Sequence, residues 1–149
     1  MAKVVKGEDG FRGGLERLVG GYLDEHGIVY HYEPGNVLYQ VPARTAKYKP
    51  DFILPNGIVL ETKGRFVTKD RQKMVLVKDQ NPDLDIRFIF SNPNSRISKR
   101  SSTTYGMWCD RMGFPYAHVK AVEEWSAWLA EEGTKKTKEA ARLLIDDET

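Results

Sequence analysis

The chain has 149 residues, of which 40% are hydrophobic and 30% charged, and this composition suits a single domain spanning residues 1–149. The only cysteine, Cys109, excludes an intramolecular disulfide and a zinc site built on several thiolates. The formal net charge of +2 does not by itself indicate nucleic-acid binding, although it divides into +6 before residue 123 and −4 from there on.

The first predicted element is an amphipathic helix from Phe11 to His26, in which apolar residues recur at helical spacing. The paired glycines Gly20 and Gly21 would weaken an isolated helix, so packing must sustain this one. Two stretches rich in β-branched and aromatic residues follow, Ile28 to Glu33 and Val37 to Val41, and both are predicted to be strands.

Residues 41–50 offer little to bury and are predicted to form an extended connector, compatible with an arm between subunits. After them comes the clearest local pattern, a β-hairpin of Asp51–Leu54 and Ile58–Thr62. Its turn, Pro55-Asn56-Gly57, has proline where a turn fixes φ and glycine where φ is positive.

The rest of the chain alternates helical, strand and loop patterns, so the predicted fold is α/β. We expect flexible ends at residues 1–10 and 146–149, and neither an apolar signal core nor a membrane span, which favours a cytoplasmic protein without a membrane partner. The remaining elements in chain order are a helix Asp70–Gln80, a buried strand Asp85–Phe90, an exposed basic loop Ser91–Thr104, a helix Tyr105–Met112, and short helices Glu123–Leu129 and Lys138–Ile145.

The length of the hairpin loop decides which residues face each other. A three-residue loop places Asp51 opposite Glu61, with both carboxylates on one face, whereas a two-residue Asn56-Gly57 turn would place Asp51 opposite Thr62. We prefer the longer loop because Pro55 suits the first turn position and has no N–H to close a strand pair.

Opposed residues in a hairpin have β-carbons about 4.5–5.5 Å apart, and like charges at that separation are destabilising. Lys63 lies on the same face as Glu61 and supplies one positive charge, and a divalent metal would neutralise the rest. Oxygen ligands favour magnesium or manganese, which polarise phosphodiesters and activate water. Lys63 either orients or deprotonates the attacking water, or it neutralises the transition state.

Pro50-Asp51, nine intervening residues and Glu61-Thr62-Lys63 match the PD-(D/E)xK signature of nucleases with a restriction-endonuclease-like fold, a mixed sheet flanked by helices. Further motifs of the chain resemble the bacteriophage endonuclease I family, the Holliday-junction resolvases, over roughly residues 10–120. These motifs are Phe11-Arg-x-x-Leu15-Glu16, Lys49-Pro-Asp-Phe-x-Leu-Pro-Asn-Gly57, Glu61-Thr-Lys-Gly64, Asp85-Ile-Arg and Tyr105-Gly106.

The resemblance implies a strand-exchanged homodimer in the host bacterial cytoplasm that cuts four-way and other branched DNA with magnesium and no small-molecule cofactor. It implies catalytic roles for Glu16, Asp51, Glu61 and Lys63. The acids would bind two metal ions per site, with a further ligand from the main-chain carbonyl of Thr62. Glu16 would come from the other subunit, making each site composite.

Several basic residues near the hairpin and in the long loop are predicted to contact DNA phosphates, which position a duplex without reading its bases. They are Arg12, Arg65, Lys69, Arg71, Lys73, Arg96, Lys99 and Arg100. Two alternatives stay open: a different PD-(D/E)xK nuclease, either restriction-type or an exonuclease, and a DNA-binding protein without catalysis.

Overall fold

The computed structural model describes residues 11–41 and 43–146 of the chain and confirms an α/β fold. None of the helices in these two ranges is long and apolar enough to cross a membrane. In chain order the elements are α1 (Gly14–Glu25), β1 (His31–Tyr32), β2 (Val37–Val41), β3 (Arg44–Tyr48), β4 (Phe52–Ile53), β5 (Val59–Lys63), α2 (Thr68–Gln80), β6 (Ile86–Phe90), α3 (Tyr105–Met112), β7 (Tyr116–His118), α4 (Val122–Ser126), a 3₁₀ turn (Ala127–Ala130) and α5 (Lys135–Asp146).

A mixed five-stranded sheet forms the centre of the fold, with its strands in the order β1-β4-β5-β6-β7. The pairs β1–β4 and β4–β5 are antiparallel, and β5, β6 and β7 run parallel. Helices α1 and α4 pack on one face of the sheet, and α2, α3 and α5 pack on the other. The central strand β6 is covered on both sides, and four of its five residues are apolar, the exception being Arg87.

The predicted helix Tyr105–Met112 is present with its predicted ends, the other predicted helices are present with shifted ends, and residues 91–104 form the predicted loop. The strands differ from the prediction in three places. The first strand is reduced to His31–Tyr32, the two residues that pair with β4. Residues 44–48 are not a bare connector but a strand, β3, which pairs with β2 to form a separate two-stranded ribbon. The short strand β7 was not predicted. The expected flexible segments 1–10 and 146–149 lie outside the described residues, except for Asp146, which is the last residue of α5.

The hairpin turn has the predicted three-residue loop. The Leu54 N–H donates to the carbonyl of Ile58 at 2.9 Å, and the Gly57 N–H donates to the carbonyl of Leu54 at 2.9 Å. Gly57 has φ of 90°, a value that glycine adopts without strain. Phe52 pairs with Leu60, as the longer loop requires, and the two-residue alternative is excluded.

The C-terminal segment holds this turn from outside. The side-chain amide of Asn56 donates to the carbonyls of Trp128 and Glu131, both at 2.9 Å. A Cβ atom on Gly57 would lie 3.0 Å from the backbone of Lys138 in α5, so the helix packs directly against the turn. The register of the hairpin is therefore held by local turn chemistry and by long-range contacts.

The paired glycines of α1 have unequal environments. A Cβ atom on Gly20 would overlap the ring of Phe11, whereas nothing lies within 4 Å of a Cβ on Gly21. The Phe11 ring is itself confined by Tyr32 and Phe52, at centroid distances of 4.9 and 5.8 Å. Gly20 therefore allows the close approach of Phe11 to the helix.

We predict opposite effects of alanine at these two positions. Gly20→Ala should destabilise the protein, because overpacking a confined site typically costs about 1–3 kcal/mol. Gly21→Ala should stabilise it by up to about 1 kcal/mol through helix propensity. Urea unfolding of both variants gives the comparison, and equal free energies of unfolding for the two would contradict the packing of Phe11 against Gly20.

Candidate active site

Asp51 lies immediately before β4, where two donors from the neighbouring strand fix its carboxylate. Its Oδ2 atom accepts hydrogen bonds from the backbone N–H and the hydroxyl of Thr62, both at 2.9 Å. These bonds hold Asp51 at the open end of the hairpin beside β5.

Glu61 lies in the middle of β5, and only 5% of its surface is exposed. Its Oε1 atom accepts a hydrogen bond of 2.7 Å from the hydroxyl of Tyr48 and one of 3.3 Å from the backbone N–H of Asp51. The pairing of Phe52 with Leu60, continued by one residue, places Asp51 opposite Glu61 as predicted.

The protein raises the pKa of both carboxyl groups. Desolvation raises the pKa of Asp51 to about 6; the charge of Glu16 adds to this, and the bonds from Thr62 oppose it. For Glu61, desolvation and the charge of Asp51 raise the pKa to about 8 against the opposing effects of Lys63 and the Tyr48 hydroxyl. Ionising both groups together therefore requires additional positive charge.

Two further carboxylates, those of Glu16 and Glu33, complete an acidic cluster. Oxygen atoms of Glu16, Glu33 and Asp51 all lie within 4.8 Å of one another. Glu16, in the first turn of α1, accepts a hydrogen bond from the hydroxyl of Tyr32. Glu33 follows β1, and its N–H donates to the carbonyl of Asp51 at 2.9 Å.

Glu16 reaches the cluster from the same chain as Asp51. The prediction that a partner subunit supplies Glu16 stays a prediction, because an exchanged dimer would make equivalent contacts between chains.

Lys63, the last residue of β5, lies at the edge of the cluster. Its Nζ atom is 3.8 Å from Oε2 of Glu61 and 3.7 Å from Oδ2 of Asp70 in α2. The side chain is 21% exposed, so its ammonium is accessible beside the acids. The structure therefore brings Asp51, Glu61 and Lys63 together, as the hairpin register predicted, and adds Glu16 from the same chain, whereas the resemblance implied a Glu16 from the other subunit.

The donor set fits a hard divalent cation. Carboxylate oxygens are the ligands that magnesium and manganese prefer, and the acids here outnumber the nearby cations. The N–H and hydroxyl of Thr62 bond Asp51, and a metal-ligand role for its carbonyl stays a prediction.

A basic groove lies directly after the acidic strand. It has a volume of about 560 Å³, and its lining includes Arg65, Arg96 and Lys99. Arg65 is two residues beyond Lys63, and the other two come from the 91–104 loop, so residues distant in sequence line one surface. Arg12, Lys69 and Arg100 are also exposed.

Two of the predicted DNA contacts have other partners. Arg71 is buried, and its guanidinium donates to the carbonyls of Phe66 and Ile97 and to the Thr68 hydroxyl. Its guanidinium joins the basic loop to α2, and a side chain buried in this way is not free to contact a DNA phosphate as predicted. The Nζ atom of Lys73 lies 5.4 Å from the ring centroid of Tyr48, a cation–π position.

Glu33, Tyr48, Tyr32 and Asp70 were not identified from the sequence. Antiparallel pairing of β1 with β4 places Glu33 opposite Asp51. Knowledge of this pairing would have identified Glu33, but the sequence does not show which strand pairs with β4. The contacts of Tyr48 and Asp70 depend on how the ribbon and α2 pack, and a single sequence contains no pattern for either.

We predict that the metal-free protein loses stability as the pH rises from about 4.5 towards 8. The raised pKa values mean that the folded state binds more protons than the unfolded state in this window, so each affected group lowers stability by up to about 1.4 kcal/mol per pH unit. Glu61→Gln should flatten the profile and increase stability at pH 8, measured by urea unfolding with a chelator. The exposed control Glu132→Gln should leave the slope unchanged, and an unchanged slope in Glu61→Gln would contradict the prediction.

Comparison with known proteins identifies relatives that match most of the chain. Residues 1–144 match the sequence family described as Phage endonuclease I. Endonuclease I of Escherichia phage T7 is 42% identical over 124 residues, covering 83% of each chain. Endodeoxyribonuclease 1 of Enterobacteria phage T3 is 45% identical over 107 residues, 72% of this chain and 70% of the relative. Similarity of this extent shows that the chain belongs to the phage endonuclease I family.

Proposed function

We propose that the protein is a metal-dependent DNA endonuclease that hydrolyses phosphodiesters at four-way junctions and other branched DNA. The observation that carries this proposal is the convergence of Glu16, Asp51, Glu61 and Lys63 at the open end of the hairpin. The names of the phage relatives, an endonuclease and an endodeoxyribonuclease, support the reaction class.

The residues proposed to hold magnesium are Asp51, Glu61, Glu16 and the carbonyl of Thr62, and manganese should substitute. Two ions per site are proposed, and Glu33 lies close enough to Asp51 to join the ligand set. Bound there, a divalent cation would supply Lewis-acid activation of the phosphodiester and a lower pKa for its bound water.

Lys63 has two possible roles in this reaction. Its ammonium can balance negative charge that develops on the phosphate, or a neutral amine can remove a proton from the attacking water. The Nζ atom of Lys63 lies within ion-pair distance of Glu61 and Asp70 at the edge of the acidic cluster, and charge stabilisation is the role that we propose.

The basic groove lined by Arg65, Arg96 and Lys99 is proposed to hold the DNA backbone beside the acidic site. Contacts to phosphates follow the path of the strands rather than the base sequence, which suits selection of a branched shape. A homodimer with a restriction-endonuclease-like fold would present two such sites and allow paired nicks across a junction.

We predict that Asp51→Asn and Glu61→Gln abolish cleavage of a labelled four-way junction in magnesium but leave junction binding near the wild-type level. Each change removes a metal ligand while preserving side-chain volume and the phosphate contacts. Cleavage rates and gel-shift affinities are the measurements. Asp79→Asn, at an exposed position of α2, is the matched control and should cut normally.

Rapid junction cleavage by Asp51→Asn or Glu61→Gln would refute the assignment of these acids to the active site. Equal cutting of junctions and linear duplexes of matched sequence would instead favour a restriction-type nuclease or an exonuclease. Tight binding without any magnesium-dependent product would favour a DNA-binding protein without catalysis.

We predict that replacing Arg96 and Lys99 by alanine weakens junction binding and lowers its salt dependence. Each phosphate that the variant no longer neutralises should reduce the slope of log K against log salt by about 0.9. Lys136→Ala, an exposed change in α5, should leave the slope unchanged. A wild-type slope in the double variant would exclude the groove as a phosphate track.

A further inference from the structure

The β2–β3 ribbon is fastened to the end of α2. The side-chain amide of Gln80 donates to the carbonyl of Gln40 at 2.8 Å, and the amide of Asn81 donates to the carbonyl of Leu38 at 3.4 Å. The second strand of the ribbon, β3, ends at Tyr48, three residues before Asp51. The ribbon therefore lies between a helix anchor and the acidic cluster.

Tyr48 is the ribbon residue that touches the cluster. It is 1% exposed, its ring packs in the main core, and its hydroxyl donates to Oε1 of Glu61 at 2.7 Å. The same oxygen also accepts the longer bond, 3.3 Å, from the Asp51 N–H.

The two carboxylate oxygens of Glu61 are thereby given different surroundings. Protein donors occupy Oε1, whereas Oε2 lies 3.8 Å from the accessible ammonium of Lys63. A carboxylate with one oxygen held in this way keeps a fixed orientation, and its other oxygen is presented to the site.

We propose that Tyr48 is a positioning residue that orients Glu61 for metal binding, an inference that rests on the proposed function. Without the hydroxyl, Oε1 retains only the longer bond, and the carboxylate gains rotational freedom in a buried place. Hydrogen-bond partners that orient metal ligands typically contribute about 10–100-fold to metal affinity or activity.

Tyr48→Phe tests the proposal because it removes the hydroxyl and keeps the packed ring. Calorimetric titration of manganese into the DNA-free full chain should give a dissociation constant about 10–100-fold larger than that of the wild type. The manganese concentration for half-maximal junction cleavage should rise by a similar factor, and the cleavage rate should recover at saturating metal. Tyr39→Phe, a buried tyrosine of the same ribbon that is not among the partners of Glu61, should behave as the wild type.

Unchanged manganese affinity in a folded Tyr48→Phe protein would overturn the inference, as would a cleavage defect that saturating metal does not relieve. A wild-type protein that binds no manganese and cuts no junction would instead overturn the proposed function. If Tyr48→Phe does not fold, 3-fluorotyrosine placed at position 48 keeps the hydroxyl. Its fluorine resonance should shift during a magnesium titration, with the same midpoint as a calorimetric titration of that protein with magnesium, and a resonance that does not move would reject the positioning role.

Discussion

Two acidic side chains in one poorly hydrated place are the constraint on which the rest of the site depends. Desolvation is the largest cause that raises the energy of the ionised form of Asp51 and of Glu61. The charge of Asp51 adds to the effect on Glu61, and the charge of Glu16 adds to the effect on Asp51. Hydrogen bonds from Thr62 and Tyr48 offset only part of it. Carboxyl groups with raised pKa values cluster at functional sites, and a bound cation is what the proposed function would place beside these two.

The fold gives each acid a different rigid support. Glu61 is carried by a central strand, Asp51 by the connection into β4, Glu16 by the first turn of α1 and Glu33 by the end of β1. Four separate elements thus meet at one end of the hairpin. Rigid elements hold ligand groups more accurately than loops do, and the cation beside Glu61, Lys63, follows it at the next position on the same face of the strand.

The placement of Asp51 opposite Glu61 could be predicted from the sequence because it depends on the residues of one turn. A proline and a glycine at fixed places in one turn determined the register, and the register determined that Asp51 and Glu61 face each other. Glu33 and Tyr48 escaped prediction because their positions depend on which strands pair and where the ribbon packs. The prediction that Arg71 contacts DNA was wrong for the same reason. The sequence does not show that the packing of α2 buries this charged residue.

The contacts that the C-terminal segment makes with the hairpin turn limit insertions and deletions in that turn. Side chains alternate between faces along a strand, so one residue inserted or deleted at positions 55–57 would turn one acid away from the other. Asn56 is bonded to carbonyls at residues 128 and 131, and α5 covers Gly57, so the turn also has no room to bulge. Any change of length at this turn would therefore disturb the register of the two acids, and a chain that ended before residue 128 would lose the two hydrogen bonds that hold Asn56.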